Sequence, residues 1–80
     1  MYYVYIIKSL SFKNKIYSGY TDNLSVRLSV HNSGGSKATQ PYRPWELEMC
    51  LTFKSQKKAM AFEKYLKTGS GNAFLKKRFI

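Results

Sequence analysis

Eighty residues make one small domain, and 44% hydrophobic with 16% aromatic residues supplies a core, which excludes a disordered polymer. Fourteen lysines and arginines stand against four acids, a formal charge of +10 that attracts polyanions. Nucleic acid is the expected partner, because neutralised phosphates release condensed counterions.

No apolar run approaches the ~18 residues of a membrane helix, and the chain opens on strand-like residues without a secretion-signal pattern. The lone Cys50 excludes an internal disulfide. Residues 1–80 are therefore expected to form one cytoplasmic domain.

Tyr2 to Lys8 is aromatic or β-branched on both faces up to Ile7, so it predicts a central strand covered on each side. Ser9 to Asn14 reads as a polar hairpin loop, followed by a short strand from Ile16 to Tyr20. Thr21 and Asp22 read as N-cap residues of a helix closed by Gly34 and Gly35, and Ser33 to Pro44 as a loop. From Trp45 to Phe53 the residues alternate: Trp45, Leu47, Met49, Leu51 and Phe53 one way, Glu46, Glu48 and Thr52 the other. Ser55 caps a helix ending near Thr68 and Gly69, and a short basic helix over Asn72 to Phe79 follows. The order is β-β-α-β-α-α, without internal repeats.

The first helix carries the most informative residues. At about 100° per residue, Leu24 and Leu28 form one apolar edge and Val26 and Val30 the other. Arg27 and His31 project between those edges, one turn apart, while Ser25 and Ser29 take the outward side. An unpaired buried charge costs several kcal/mol, so this placement needs a partner or a purpose. Carboxylates that could pair Arg27 are scarce: Asp22 reads as a cap, and Glu46 and Glu48 lie on a polar strand face.

Glu63 sits beside the arc of Ala59, Phe62 and Leu66. It is either an i, i+4 partner of Lys67 or a metal ligand. A two-metal nuclease needs clustered carboxylates that this chain lacks, so metal chemistry here would use one ion. A tyrosine hydroxyl, at Tyr5 or Tyr17, could position or activate a water if a cation such as Arg27 stood close. No Ser-His-Asp order, Cys-His pairing or phosphate-binding glycine loop competes, and one His with one Cys excludes an ordinary zinc site.

These residues resemble the GIY-YIG nucleases. Tyr3-Val4-Tyr5 stands where the family has Gly-Ile-Tyr, and Tyr17-Ser18-Gly19 where it has Tyr-Ile-Gly. Arg27 and His31 match its helix motif of Arg followed four residues later by His or Tyr, and Glu63 its metal-binding glutamate. Tyr20-Thr21-Asp22-Asn23-Leu24, Arg43-Pro44-Trp45-Glu46-Leu47 and Phe62-Glu63-Lys64-Tyr65-Leu66-Lys67 look like the small stand-alone bacterial members. Tyr3 replaces a glycine and Ser18 an isoleucine of the motifs, Tyr20 stands where excision-repair relatives have a lysine, and Asn72 is the candidate for the family's later asparagine.

The resemblance implies an α+β fold, a small three-stranded antiparallel sheet flanked by helices, and an endonuclease that hydrolyses DNA phosphodiesters with one Mg²⁺ or Mn²⁺ ion. Tyr5 and Tyr17 would border the attacking water, Arg27 would stabilise transition-state charge, His31 would orient a tyrosine or relay a proton, and Glu63 would hold the metal. DNA contacts are expected at Gly19, Lys37, Arg43, Lys54, Lys58, Asn72, Lys76 and Lys77. Substrate choice by structure (branches, flaps or nicks) and a place in DNA repair or recombination are expected, since family members with defined targets carry a second DNA-binding domain. The alternatives are a non-catalytic nucleic-acid-binding module and an adaptor docked on a repair protein. An inward Arg27 and Glu63, which a pure binder does not need, favour the nuclease.

Overall fold

Val4, Tyr5, Ile6 and Ile7 are almost wholly inaccessible because their strand, β1 (Tyr2–Ser9), is the middle one of an antiparallel sheet ordered β2-β1-β3. The structure is a computed structural model that describes residues 1–78. Around β1 lie β2 (Ile16–Thr21), α1 (Leu24–Ser33), a 3-10 turn (Gln40–Tyr42), β3 (Trp45–Phe53), α2 (Gln56–Leu66) and α3 (Gly69–Arg78). The fold is α+β, in the element order read from the sequence.

Period-2 alternation divides β1 between two cores. Val4 and Ile6 pack with Ala59 and Leu66 of α2 and Leu75 of α3. Tyr5 and Ile7 face the other way, with Trp45, Tyr17, and Leu24 and Leu28 of α1. An expectation of cover on both faces is met by helices on both sides of the sheet.

The uninterrupted alternation expected along β3 is corrected. Ile6 pairs with Met49 but Ile7 with Leu47, so Glu48 is an unpaired bulge residue. Met49, Leu51 and Phe53 share the face of Ile6, while Leu47 and Trp45 share the face of Ile7. One extra residue reverses which side of the sheet each half of β3 addresses.

Two helix starts also differ from expectation. Asn23, not Thr21 or Asp22, caps α1: its side chain accepts from the Val26 N–H at 3.2 Å, and Thr21 serves one step earlier by accepting from the Asn23 N–H at 3.0 Å. Gly34 ends α1 with φ 88°, a left-handed conformation that favours glycine. Thr68 and Gly69 do not prolong α2. The Thr68 hydroxyl accepts from the Gly71 N–H at 3.1 Å and its carbonyl from the Asn72 N–H at 2.9 Å, so Thr68 caps α3, which begins three residues earlier than expected. Gly71 permits the tight turn between the helices, since a Cβ there would run into the Tyr65 carbonyl. The expected end of this helix at Phe79 lies outside the described residues.

Candidate active site

The site begins at a cross-strand pair. Tyr5 is opposite Gly19 in the β1–β2 register, and a Cβ on Gly19 would collide with the Tyr5 phenol. The missing side chain lets the buried Tyr5 ring lie across β2. Tyr17 pairs with Ile7 and so shares the face of Tyr5. Gly19, expected as a DNA contact, is buried and acts on the site through the space it leaves.

Helix α1 brings Arg27 and His31 onto this face. The Tyr5 hydroxyl lies 2.8 Å from His31 Nε2, and His31 Nδ1 lies 2.8 Å from the Thr39 hydroxyl. The imidazole is fully buried and also meets the Tyr17 ring, with centroids 5.2 Å apart. Tyr17 and Arg27 are half-buried, so they stand nearer solvent than Tyr5 and His31.

Burial raises the Tyr5 pKa, and the nearby Arg27 guanidinium opposes the rise. Burial lowers the His31 pKa, and the charge of Arg27 lowers it further. A neutral imidazole and a protonated Tyr5 are the resulting forms near neutral pH. Among the described residues the one carboxylate–cation pair is Glu63 with Lys67, at 2.7 Å, so Arg27 has no carboxylate counter-charge. The guanidinium keeps its full charge beside a phenol, an arrangement suited to an anionic ligand.

Glu63 reaches the site through Lys67. The i, i+4 pair places the Lys67 ammonium 5.3 Å from the centre of the Tyr17 ring. Hydrogen bonding from Glu63 raises the Lys67 pKa against a smaller effect of burial, and Tyr17 and Tyr5 add to the rise. Lys67 is the cation beside a tyrosine that the sequence reading sought only in Arg27. Its pairing spacing was legible, but its reach to β2 was not.

A hollow at the free edge of β2 is lined by Tyr17, Ser18, Lys67 and Asn72. Its neighbour is lined by Lys8, Asn14 and Lys76, and Ile16 belongs to both. Asn72 thus lines the hollow beside Tyr17, and Lys76 lines the neighbouring one. Lys54 and Lys58 lie at the opposite end of α2 from Lys67, where Gln56 donates to the Tyr20 hydroxyl at 2.7 Å. Lys37 is exposed in the loop after α1, Lys77 is exposed on α3, and the Arg43 Nε donates to the Gln40 carbonyl at 3.0 Å.

No group of three or more His, Cys, Asp or Glu gathers among the described residues. That donor set does not fit an ion caged by protein alone. It does fit a hard ion held by the Glu63 carboxylate together with waters and a substrate phosphate.

Thr39 is the other residue that sequence reasoning missed. It is fully buried, and its carbonyl accepts from the Trp45 indole N–H at 2.9 Å. Asn32 holds Trp45 in turn, accepting from its backbone N–H at 2.6 Å and donating to its carbonyl at 3.0 Å. A lone threonine in a loop of small polar residues carries no periodic signal that could single it out.

Residues 1–77 match the family model described as the GIY-YIG catalytic domain. A UPF0213 protein of Staphylococcus haemolyticus is 41% identical over 76 residues, which cover 94% of this chain and 90% of that protein. The UPF0213 protein YazA of Bacillus subtilis is 37% identical over 82% of this chain and 66% of its own length. The solution NMR structure of a UPF0213 protein from Bacillus halodurans superposes with a TM-score of 0.57 at 30% identity, covering 95% of this chain and 82% of that one. No helix among the described residues is long and apolar enough to cross a membrane. With its motif tyrosines, Arg27, His31 and Glu63 in the expected order along a matching fold, the chain belongs to the GIY-YIG family, a family of nucleases.

Proposed function

We propose that this protein is an endonuclease that hydrolyses DNA phosphodiester bonds with the help of one divalent ion, Mg²⁺ or Mn²⁺. The observation that carries this reading is the half-buried Arg27, whose charge bears on Tyr5 and His31 and has no carboxylate to neutralise it among the described residues. A phosphodiester supplies the missing negative charge.

Tyr17 is the tyrosine that lines the open hollow, whereas Tyr5 is enclosed. In its phenolate form Tyr17 takes the proton of the attacking water as the water oxygen bonds to phosphorus, and the Lys67 ammonium stabilises that phenolate by Coulomb attraction. Arg27 donates to the non-bridging oxygens as negative charge grows on them. The P–O bond to the leaving oxygen then breaks. Tyr5 and His31 hold the first layer of groups in place from behind. Glu63 would hold the divalent ion, whose chemistry is to neutralise charge on the leaving oxygen.

Lys67 and Asn72 line the hollow beside Tyr17, and Lys76 and Lys8 line its neighbour, with groups suited to meet phosphates. Phosphate contacts carry no base sequence, which favours selection of DNA by its shape, such as a branch, flap or nick. Repair or recombination is the setting in which such shapes arise.

The test is incubation of the protein with duplex, flap, junction and single-stranded DNAs in Mg²⁺ or Mn²⁺, with EDTA as control. Metal-dependent cleavage lost in the Arg27→Ala variant supports the nuclease. Tight binding without cleavage of any substrate would make this chain a nucleic-acid-binding module on a nuclease fold.

A further inference from the structure

A chain of hydrogen bonds runs behind the site from a backbone carbonyl to the Tyr5 phenol, and its first link has fixed polarity. The Thr39 hydroxyl lies 3.4 Å from the Ser36 carbonyl, which can only accept. At the other end, the buried Tyr5 hydroxyl has one side-chain hydrogen-bond partner among the described residues, His31 Nε2. Between them stand the 2.8 Å contacts of His31 Nδ1 with Thr39 and of His31 Nε2 with Tyr5.

One proton arrangement satisfies every link. Thr39 gives its proton to Ser36 and so accepts from Nδ1–H of His31. That leaves Nε2 as the acceptor for the Tyr5 O–H. In the opposite tautomer, Nε2–H would donate to Tyr5, and the phenol proton would have no acceptor among these groups.

We propose that Thr39 is a positioning residue for this site: its hydroxyl locks His31 in the Nδ1–H tautomer and thereby fixes the Tyr5 hydroxyl as the donor to Nε2. The consequence for cleavage rests on the nuclease reading above, whereas the tautomer lock does not. Thr39 is itself held by the Trp45 indole on its carbonyl, so the loop from Gly34 to Pro44 becomes part of the site's support.

The chain has a single histidine, so its imidazole nitrogens give unambiguous NMR signals. The experiment is long-range ¹H–¹⁵N correlation on the full ¹⁵N-labelled chain above pH 7, for wild type, Thr39→Val and Thr39→Ser, beside single-turnover DNA cleavage. The expected wild-type spectrum has a protonated Nδ1 and an unprotonated Nε2. Thr39→Val, which keeps the shape and removes the hydroxyl, should give mixed tautomers and slow cleavage by about tenfold or more at temperatures where circular dichroism shows it folded. Thr39→Ser should restore both. A wild-type His31 found as the Nε2–H form overturns the proposal whatever the variants do, as does a folded Thr39→Val that keeps the wild-type tautomer. The expected tautomer pattern in a protein that cleaves no DNA would uphold the lock and remove the nuclease reading instead.

Discussion

Tyr5 on the central strand and His31 at the end of α1 meet at 2.8 Å across 26 positions of sequence, both buried, with the imidazole between two tyrosine rings. This contact joins the two halves of the family motif into one cluster. It also ties the protonation of the chain's single histidine to the integrity of the fold.

Stability should therefore depend on pH below neutrality. Burial and Arg27 hold the folded His31 pKa below the unfolded value of 6.5, so the unfolded chain binds the proton first as pH falls. The contribution is fully present above about pH 6.5 and is lost below it, by up to about 1.4 kcal/mol per pH unit, until folded His31 itself protonates. Denaturant melts from pH 7.5 to 5.5 measure this. The decline should disappear in His31→Gln, and an equal decline in that variant would assign it to other groups.

Arg27→Ala should separate activity from stability. The side chain is half-buried and has no carboxylate partner among the described residues, so its loss strands no buried anion. Cleavage should fall by roughly a hundredfold or more, the scale of losing one preorganised charge-stabilising group. The melting temperature should move by only a few degrees. A loss of about 3–5 kcal/mol, with activity following the folded fraction, would instead mark Arg27 as half of a structural ion pair.

Glu63→Gln removes a carboxylate but leaves the basic surface. Its partner Lys67 is 51% exposed, so breaking the pair should cost no more than about 1 kcal/mol. Metal-dependent cleavage should collapse, while DNA affinity holds or rises as the local charge becomes more positive. Wild-type cleavage rates in this variant would remove Glu63 from the metal site.

Gly19→Ala tests the space under Tyr5. The added Cβ meets the phenol, so Tyr5 must leave its bond to His31 or the strands must part. Overpacking of this kind costs about 1–3 kcal/mol. At temperatures where the variant is folded, cleavage should still be reduced by about tenfold or more, because the support behind Arg27 has moved. Full activity with an unchanged melt would show that Tyr5 does not need the place it occupies.

Salt dependence should locate the DNA. Each phosphate neutralised on duplex DNA contributes about 0.9 to the slope of log affinity against log salt. A Lys67→Gln, Lys76→Gln double variant should lower that slope by up to about 1.8. The same change at Lys54 and Lys58, at the far end of α2, should lower it less. The reverse ranking would place the DNA on the β3–α2 corner and away from Tyr17.

Much of this protein was legible as a string of residues. The central strand followed from apolar residues on both faces of Tyr2 to Ile7, and the strong positive charge from fourteen basic residues against four acids. Arg27 and His31 stood out through their spacing on a helix, whereas Tyr5, Tyr17 and Glu63 were picked out as a set by their resemblance to the GIY-YIG motifs. What the tertiary structure alone decided involves pairing between distant segments. The Glu48 bulge turns Leu47 away from Met49, since strand register is a property of two strands and not of one. Lys67, an ordinary ion-pair partner on its own helix, reaches the edge of β2 and stands beside Tyr17. Thr39, inconspicuous in its loop, lies behind His31 because Asn32 and Trp45 carry the loop back against α1. Local sequence encodes period and charge, whereas the partners of a buried hydrogen bond are chosen only when the chain closes around them.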